Sequence, residues 1–169
     1  MGVDFGGANT SLLWLAYDPG ANVFYIYRES LSGGKTTKEH ATAALEAARG
    51  ENFLGGWGGS QSETQWRMEW AACGVPLLAP MVPEVEIGID KVIELFRARR
   101  LFVFDSLAGL RDELGTYRRV LDESGKTTDK IENKSSFHRL DALRYVALGV
   151  MVRPIENQYV VYDLSLIHI

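Results

Sequence analysis

The sequence has little of what disulfide, zinc and membrane proteins need. Cys73 is the single cysteine among 169 residues, which excludes an internal disulfide and a zinc site built from several thiolates. No apolar run is long enough to cross a bilayer, and no signal peptide opens the chain, so we expect no membrane partner.

An excess of positive charge is also missing, since the formal net charge is -4. This balance disfavours strong electrostatic attraction to nucleic acid but suits a site that gathers carboxylates around metal ions. The simplest interpretation of the local basic groups is solvated surface charge, so we expect any DNA binding to be weak and salt-sensitive. These groups are Arg97, Arg99 and Arg100, then Arg118 and Arg119, then Lys126, Lys130 and Lys134.

The length and the 46% hydrophobic content fit one soluble domain with a sizeable core. We assign residues 1–153 to this domain and residues 154–163 to a C-terminal extension. Residues 164–169 match the translation of a transposon-end adapter used in DNA library preparation, so we expect a non-native read-through tail. The alternative for this tail is a short natural strand.

Strand and helix patterns alternate along the domain and predict an α/β fold, with helices packed on a mixed central sheet. Turn signals separate three strands at 2–5, 11–17 and 23–28, which predicts an opening antiparallel meander. Helices are predicted at 38–49, 63–73 with Ser62 as N-cap, 86–99 and 137–151. Short strands are predicted at 53–54, 75–78 and 101–104. Residues 107–121 mix helix and strand signals, and the polar residues 122–136 predict a mobile loop.

Asp4 is the first candidate for a catalytic and metal-binding residue. Strand alternation places Val3 and Phe5 on one face of the first strand and Asp4 on the other. A carboxylate inside a compact sheet is costly unless it is paired, hydrogen bonded or bound to a metal. The alternative is an aspartate that caps the following turn.

Asp141 is the second candidate, because it lies on the apolar stripe of the last predicted helix. Its alternative role is an internal ion pair with Arg144, three residues later. His138, about one turn before Asp141, is a further catalytic candidate, although a single histidine more often has a structural role. The apolar stripe consists of Phe137, Leu140, Leu148 and Met151.

Glu63 is the third candidate and carries the weakest signal. It follows the glycine-rich residues 55–59 and opens a predicted helix, where the helix dipole alone could explain an acid. If Glu63 is not used, the next acid to test is Asp105, although Asp105 is expected to cap the helix after Ser106.

Carboxylates at distant positions, with one cysteine and three histidines in the chain, suit a hard divalent cation such as Mg²⁺ or Mn²⁺. Two such ions could activate a water molecule and stabilise the leaving oxygen of a phosphodiester. The candidate metal ligands are therefore Asp4, Glu63 and Asp141.

Two parts of the sequence resemble the nuclease domain of phage terminase large subunits. The start, Gly2–Gly6 (GVDFG) followed by a strand, a turn and a strand, resembles the beginning of that domain. Glu113–Tyr117 (ELGTY), a polar loop and Phe137–Tyr145 (FHRLDALRY) resemble its end. The resemblance covers nearly all of residues 1–153.

This resemblance implies an RNase H/RuvC-like fold and a Mg²⁺- or Mn²⁺-dependent endonuclease, with two ions, that cuts double-stranded DNA. The implied partners are an N-terminal ATPase domain, the portal and the small terminase subunit, in the host cytoplasm during packaging into a procapsid. By motif, Asp4 and Asp141 correspond to the first and last metal-binding acids. The middle acid is expected at the end of the fourth strand, where this chain reads GGWGG, and Glu63 is its nearest replacement. No P-loop motif occurs in the sequence, so we expect no ATP hydrolysis by this chain.

Two alternatives remain open. Asp4–Thr10 (DFGGANT) also resembles the phosphate loop of actin-like ATPases and sugar kinases, which share an RNase H-like core. That interpretation expects a second phosphate-binding Asp-x-Gly motif, which is not evident, and gives Asp141 no role. The other alternative is a catalytically inactive module that docks DNA or the portal, and a metal-dependent plasmid-nicking assay separates it from the nuclease.

Overall fold

The three strands predicted at the start of the chain are present and form the middle of the main sheet. The computed structural model describes residues 1–6 and 8–152, so the predicted extension and tail at 154–169 lie outside the described residues. The strands are β1 (Gly2–Phe5), β2 (Asn9–Asp18), β3 (Val23–Gly33), β4 (Gly56–Gly58), β5 (Leu77–Leu78), β6 (Leu101–Val103), β7 (Arg119–Leu121) and β8 (Thr127–Ile131). The helices are α1 (Thr37–Ala47), α2 (Thr64–Ala72), α3 (Val85–Arg97), α4 (Ala108–Thr116) and α5 (His138–Val152).

The main sheet is mixed, as predicted, and its strands lie in the order β5-β4-β1-β2-β3-β6. The opening strands pair antiparallel, with a register shift between Trp14 and Leu15 in the β2–β3 ladder. The β1–β4, β4–β5 and β3–β6 pairs are parallel. Because β1 lies between β2 and β4, the C-terminal end of β1 lies near the middle of the sheet, at the end where β4 also terminates.

Helices cover both faces of this sheet. One core includes buried residues of β2, β3, α3, α4 and α5, and the other includes buried residues of β1, β2, α1 and α2. Helix α5 is buried along most of its length, from Ala142 to Val150, rather than along one stripe. It can lie this close to the sheet because Gly2 and Gly149 have no side chain. A Cβ atom at Gly2 would overlap the backbone of Ala142, and one at Gly149 would overlap the ring of Trp57.

The fourth strand differs from the prediction. It is formed by Gly56–Gly58, not by residues 53–54. A Cβ atom at Gly56 would overlap the carbonyl oxygen of Met1, and one at Gly58 would lie 2.7 Å from Cβ of Val3. These glycines therefore allow close strand packing that any side chain would prevent, and β-propensity gives no signal for such a strand.

The prediction of a mobile loop at 122–136 is wrong. Strands β7 and β8 form an antiparallel hairpin there, followed by a short 3-10 turn at Lys134–Ser136. The hairpin turn is held by Asp122, whose Oδ1 accepts hydrogen bonds from the backbone of Ser124 and Lys126. Because much of the hairpin is exposed, its sequence is polar and lacks the alternation that marks a half-buried strand.

Two helix starts matter for the site and its surroundings. Helix α1 begins with a reciprocal capping box between Thr36 and Glu39. Helix α2 has Glu63 as its N-cap, one residue later than the predicted Ser62.

Within residues 1–6 and 8–152, no helix is long and apolar enough to cross a membrane.

Candidate metal centre

Asp4 lies at the end of β1, on the face that packs against α5. The Oδ2 atom of Asp4 is 2.9 Å from Nδ1 of His138, the first residue of α5. The structure therefore brings together the first predicted acid and the predicted histidine, and it confirms that Asp4 points away from Val3 and Phe5, which lie in the opposite core.

The electrostatic surroundings of Asp4 oppose its ionisation. Burial raises its pKa to about 6, and the hydrogen bond from His138 opposes this rise. The negative charges of Asp141 and Glu63 raise the pKa of Asp4 further. The three predicted acids are thus close enough to interact electrostatically, although they come from three distant parts of the chain.

Glu63 reaches back from the start of α2 toward the end of β4. Its carboxylate accepts a hydrogen bond from the backbone N–H of Ser60. A Cβ atom at Gly59 would lie 2.9 Å from Oε2 of Glu63 and closer still to the ring of Phe5. The Glu63 carboxylate therefore lies beside the position that a side chain at the end of β4 would occupy, where the resemblance expects the middle acid.

Asp141 forms the ion pair that was its alternative interpretation. Its Oδ1 accepts hydrogen bonds from Nη2 of Arg144 at 2.9 Å and from Nε at 3.3 Å. The stem of Arg144 packs where a side chain at position 88 would stand, so Gly88 of α3 makes room for it. The pair therefore gives Asp141 a structural role in holding Arg144.

A cleft of about 230 Å³ opens beside Asp141. Its wall includes Arg144 and Lys134 from the α5 side, and Ser60 from the loop that holds Glu63. Within the described part of the chain, the charged groups that line this cleft are one acid, Asp141, and two cations, Lys134 and Arg144. The two cations therefore offset the charge of Asp141 where a polyanion would approach it.

The three acids do not form a ready-made metal cage. In the described part of the chain, no three His, Cys, Asp or Glu side chains are grouped so that they could hold a metal ion. Each carboxylate is instead hydrogen bonded to a different protein group: His138 for Asp4, Ser60 for Glu63 and Arg144 for Asp141.

Asp105, the reserve candidate, lies outside this cluster. Its side chain is fully exposed, and its nearest cation is Arg111 at 3.9 Å. The expected capping role is also wrong, because the N-cap of α4 is Leu107, with no side-chain cap. A turn from Phe104 to Leu107 displaces the helix start by two residues and leaves Asp105 in solvent.

A second, partly buried cluster lies on the other side of the first turn of α5, and sequence reasoning missed it. We call Glu29, Arg139 and Glu113 the Arg139 network. Arg139 Nη1 donates to Glu113 at 2.9 Å, and its Nε forms an ion pair with Glu29 at 2.9 Å. Glu29 also accepts the N–H groups of Gly109 and Leu110 at the start of α4. Glu113 accepts those of Arg139 and Leu140 at the start of α5.

Comparison with known proteins identifies related folds through structure rather than sequence. Protein-family profiles and curated proteins give no match to this chain. Among solved structures, the nuclease domain of the P22 large terminase has a TM-score of 0.65 and 25% identity, with 88% of this chain and 79% of that chain covered. The large terminase nuclease domain of bacteriophage SPP1, with bound Mn, has a TM-score of 0.67 and 16% identity, with 86% and 82% covered.

A longer protein aligns over the same region. The large terminase of a thermophilic bacteriophage, in complex with ADP, has a TM-score of 0.74 and 20% identity. The match covers 90% of this chain but 39% of that longer chain. Together, the mixed sheet, the position of α5 and these neighbours confirm the resemblance predicted from the sequence: the chain has the RNase H-like fold of phage large terminase nuclease domains.

Proposed function

We propose that this chain is a metal-dependent nuclease domain of a phage DNA-packaging terminase and that it hydrolyses phosphodiester bonds of double-stranded DNA. The observation that carries the proposal is the convergence of Asp4, Glu63 and Asp141, with both other acids raising the pKa of the buried Asp4. The Mn bound to the SPP1 neighbour supports a divalent ion in a domain of this fold.

The donor chemistry fits a hard divalent cation. All three candidate ligands are carboxylates, which Mg²⁺ and Mn²⁺ prefer over nitrogen or sulfur donors. A bound cation would also offset the burial, and the repulsion from Asp141 and Glu63, that raise the pKa of Asp4. To bind it, Asp141 must exchange its contact with Arg144 for the ion, whereas Glu63 accepts from Ser60 through Oε2 and can offer Oε1. We propose Mg²⁺ or Mn²⁺ in the host, with two ions per site.

The chain's own groups divide the remaining work. When bound, divalent ions lower the pKa of a coordinated water and stabilise a leaving oxygen. His138 orients the Asp4 carboxylate through Nδ1, and its ring is partly exposed, so Nε2 can hold or release a proton at the site. If Asp141 were to hold the ion, the Arg144 guanidinium would become available to a phosphate oxygen.

Plasmid nicking with Mn²⁺ tests the proposal. We expect Asp4→Asn and Asp141→Asn to abolish cleavage, because asparagine is nearly isosteric but removes an anionic ligand. Asp105→Asn is the matched control, since this acid is fully exposed away from the site, and it should cleave like the wild type.

Thermal melting of the same variants separates catalysis from structure. Asp141→Asn also weakens a partly buried pair with Arg144, so some loss of stability is expected beside the loss of cleavage. A lowered melting temperature with normal cleavage in the folded fraction would contradict the assignment of Asp141 and support a purely structural ion pair.

We further propose that the domain acts with an ATPase domain, the portal and the small terminase subunit at the procapsid, in the host cytoplasm. The longer large terminase of the thermophilic phage, determined in complex with ADP, supports the terminase context. Purified alone, this chain should cleave DNA in the absence of ATP, and it should not hydrolyse ATP. ATP hydrolysis by the isolated chain would favour the actin-like alternative.

A further inference from the structure

Arg67 is a buried cation whose partners are all neutral oxygens. Its side chain leaves the inner face of α2, and the residue is 8% exposed. Nη1 donates to the carbonyl oxygens of Gly58 at 3.2 Å and Ser60 at 2.6 Å. Nη2 donates to the carbonyl of Gln61 at 3.0 Å and to Oγ1 of Thr64 at 3.2 Å. Within residues 1–6 and 8–152, no carboxylate forms an ion pair with it.

Such an arrangement is unusual, because a buried charge is costly without an opposite charge nearby. A guanidinium can nevertheless hold several carbonyls at once, since its donors lie in one rigid plane. All four acceptors belong to the segment from the end of β4 to the start of α2. The Arg67 side chain is therefore a template around which this segment is folded.

The same segment positions Glu63. Ser60 joins the two groups directly: its carbonyl accepts from Arg67, and its N–H donates to the Glu63 carboxylate. Without the guanidinium, the carbonyls of Gly58 and Ser60 would lose their shared donor, and the Ser60 N–H would lose its fixed direction.

We propose that Arg67 is a positioning residue of the metal centre, which holds the Glu63 carboxylate at the end of β4 within reach of Asp4. This inference rests on the proposed function, because it assigns Glu63 to the metal ligands. In this chain, the middle acid comes from the N-cap of α2 and not from the end of β4 itself. Arg67 makes the segment between β4 and α2 rigid, so that the Glu63 carboxylate is held at the end of β4.

The test is a double-mutant cycle on Mn²⁺ affinity, measured by calorimetry on the folded chain without DNA. Arg67→Met and Glu63→Gln should each weaken Mn²⁺ binding, roughly 10–100-fold for Arg67→Met, as for other groups that orient a metal ligand. Because Arg67 acts through Glu63, the double variant should bind Mn²⁺ about as well as Glu63→Gln alone.

Two further variants keep the result interpretable. Arg28→Met removes another partly buried arginine, paired with Glu51 away from the site, and should leave Mn²⁺ affinity unchanged. Arg67→Lys keeps the charge without the planar fork, so it should bind Mn²⁺ more weakly than the wild type and more tightly than Arg67→Met. If Arg67→Met does not fold, Arg67→Lys takes its place in the cycle.

Full additivity with Glu63→Gln, or wild-type Mn²⁺ affinity in a folded Arg67 variant, would overturn the inference. Mn²⁺ binding by the wild type without DNA cleavage would overturn the nuclease function and leave the positioning role standing. Absence of Mn²⁺ binding by the wild type would overturn the metal centre and this inference together.

Discussion

The candidate metal centre and the Arg139 network lie on two sides of the first turn of α5, and they differ in how their charges are balanced. Burial raises the pKa of Asp4 in the first and of Glu113 in the second. Around Glu113, the other contributions all favour the carboxylate: Arg139 and two backbone N–H groups. Around Asp4, His138 favours the carboxylate, while Asp141 and Glu63 oppose it.

This difference separates a structural cluster from the one that we propose to be functional. The Arg139 network satisfies its acids with an arginine and with the N–H groups that the starts of α4 and α5 leave unpaired. It therefore fixes the helix that carries His138 and Asp141. In the proposed metal centre, burial and the charges of Asp141 and Glu63 oppose the ionisation of Asp4, and a bound cation would favour the charged carboxylate.

Removing the central cation of the network should have the largest effect on stability. Arg139→Met leaves the partly buried Glu29 and the buried Glu113 without their shared cation, so we expect a loss of up to about 3–5 kcal/mol in unfolding free energy. Urea unfolding measures it. Arg118→Met is the control, because its pair with Glu132 is exposed and should contribute little to stability. Equal effects in the two variants would remove the distinction between the clusters.

Asp4→Asn should raise the unfolding free energy of the metal-free protein, whereas Arg139→Met lowers it. Between pH 4 and pH 6 the native state holds a proton on Asp4 that the unfolded state has released, because the native pKa is raised from 3.8 to about 6. Stability therefore falls as pH rises through this window, by about 3 kcal/mol at ~1.4 kcal/mol per pKa unit.

The variant lacks this titration, so it should be more stable than the wild type at pH 8 and nearly equal to it at pH 4. Adding Mn²⁺ should stabilise the wild type and reverse the order. Melting temperatures at both pH values, with and without Mn²⁺, check these outcomes. A variant less stable than the wild type at pH 8 without metal would show that the hydrogen bond from His138 compensates the burial of the Asp4 carboxylate.

The smallest expected effect concerns the cations beside the acids. Lys134 lines the cleft next to Asp141, whereas Lys126 lies exposed in the β7–β8 turn. If a DNA strand enters the cleft, Lys134→Gln should lower the slope of log affinity against log salt concentration by about 0.9, the value for one phosphate contact. Fluorescence anisotropy with a short labelled duplex measures it. Lys126→Gln should not change the slope, and identical slopes in the two variants would place the DNA elsewhere.

Local sequence patterns predicted most of the scaffold of the site. The meander β1–β3 and the helix at 137–151 follow from apolar periodicity and turn residues, which act between neighbours in the chain. The orientation of Asp4 follows from strand alternation alone. Strand β4 and the hairpin β7–β8 could not be predicted in this way, because two of the three residues of β4 are glycines and the hairpin is largely exposed.

The sequence by itself determined the fold class, the family resemblance and the identity of the candidate acids, since each rests on short motifs or local periodicity. Only the tertiary structure decided how these acids are held. Glu29 meets Gly109 across 80 positions of the chain, and Asp4 meets His138 across 134. The carboxylate of Glu63 is placed by Arg67 and Ser60 through a loop whose path no local signal reveals. Such contacts depend on which surfaces the packed sheet and helices bring together, and a one-dimensional pattern does not contain that information.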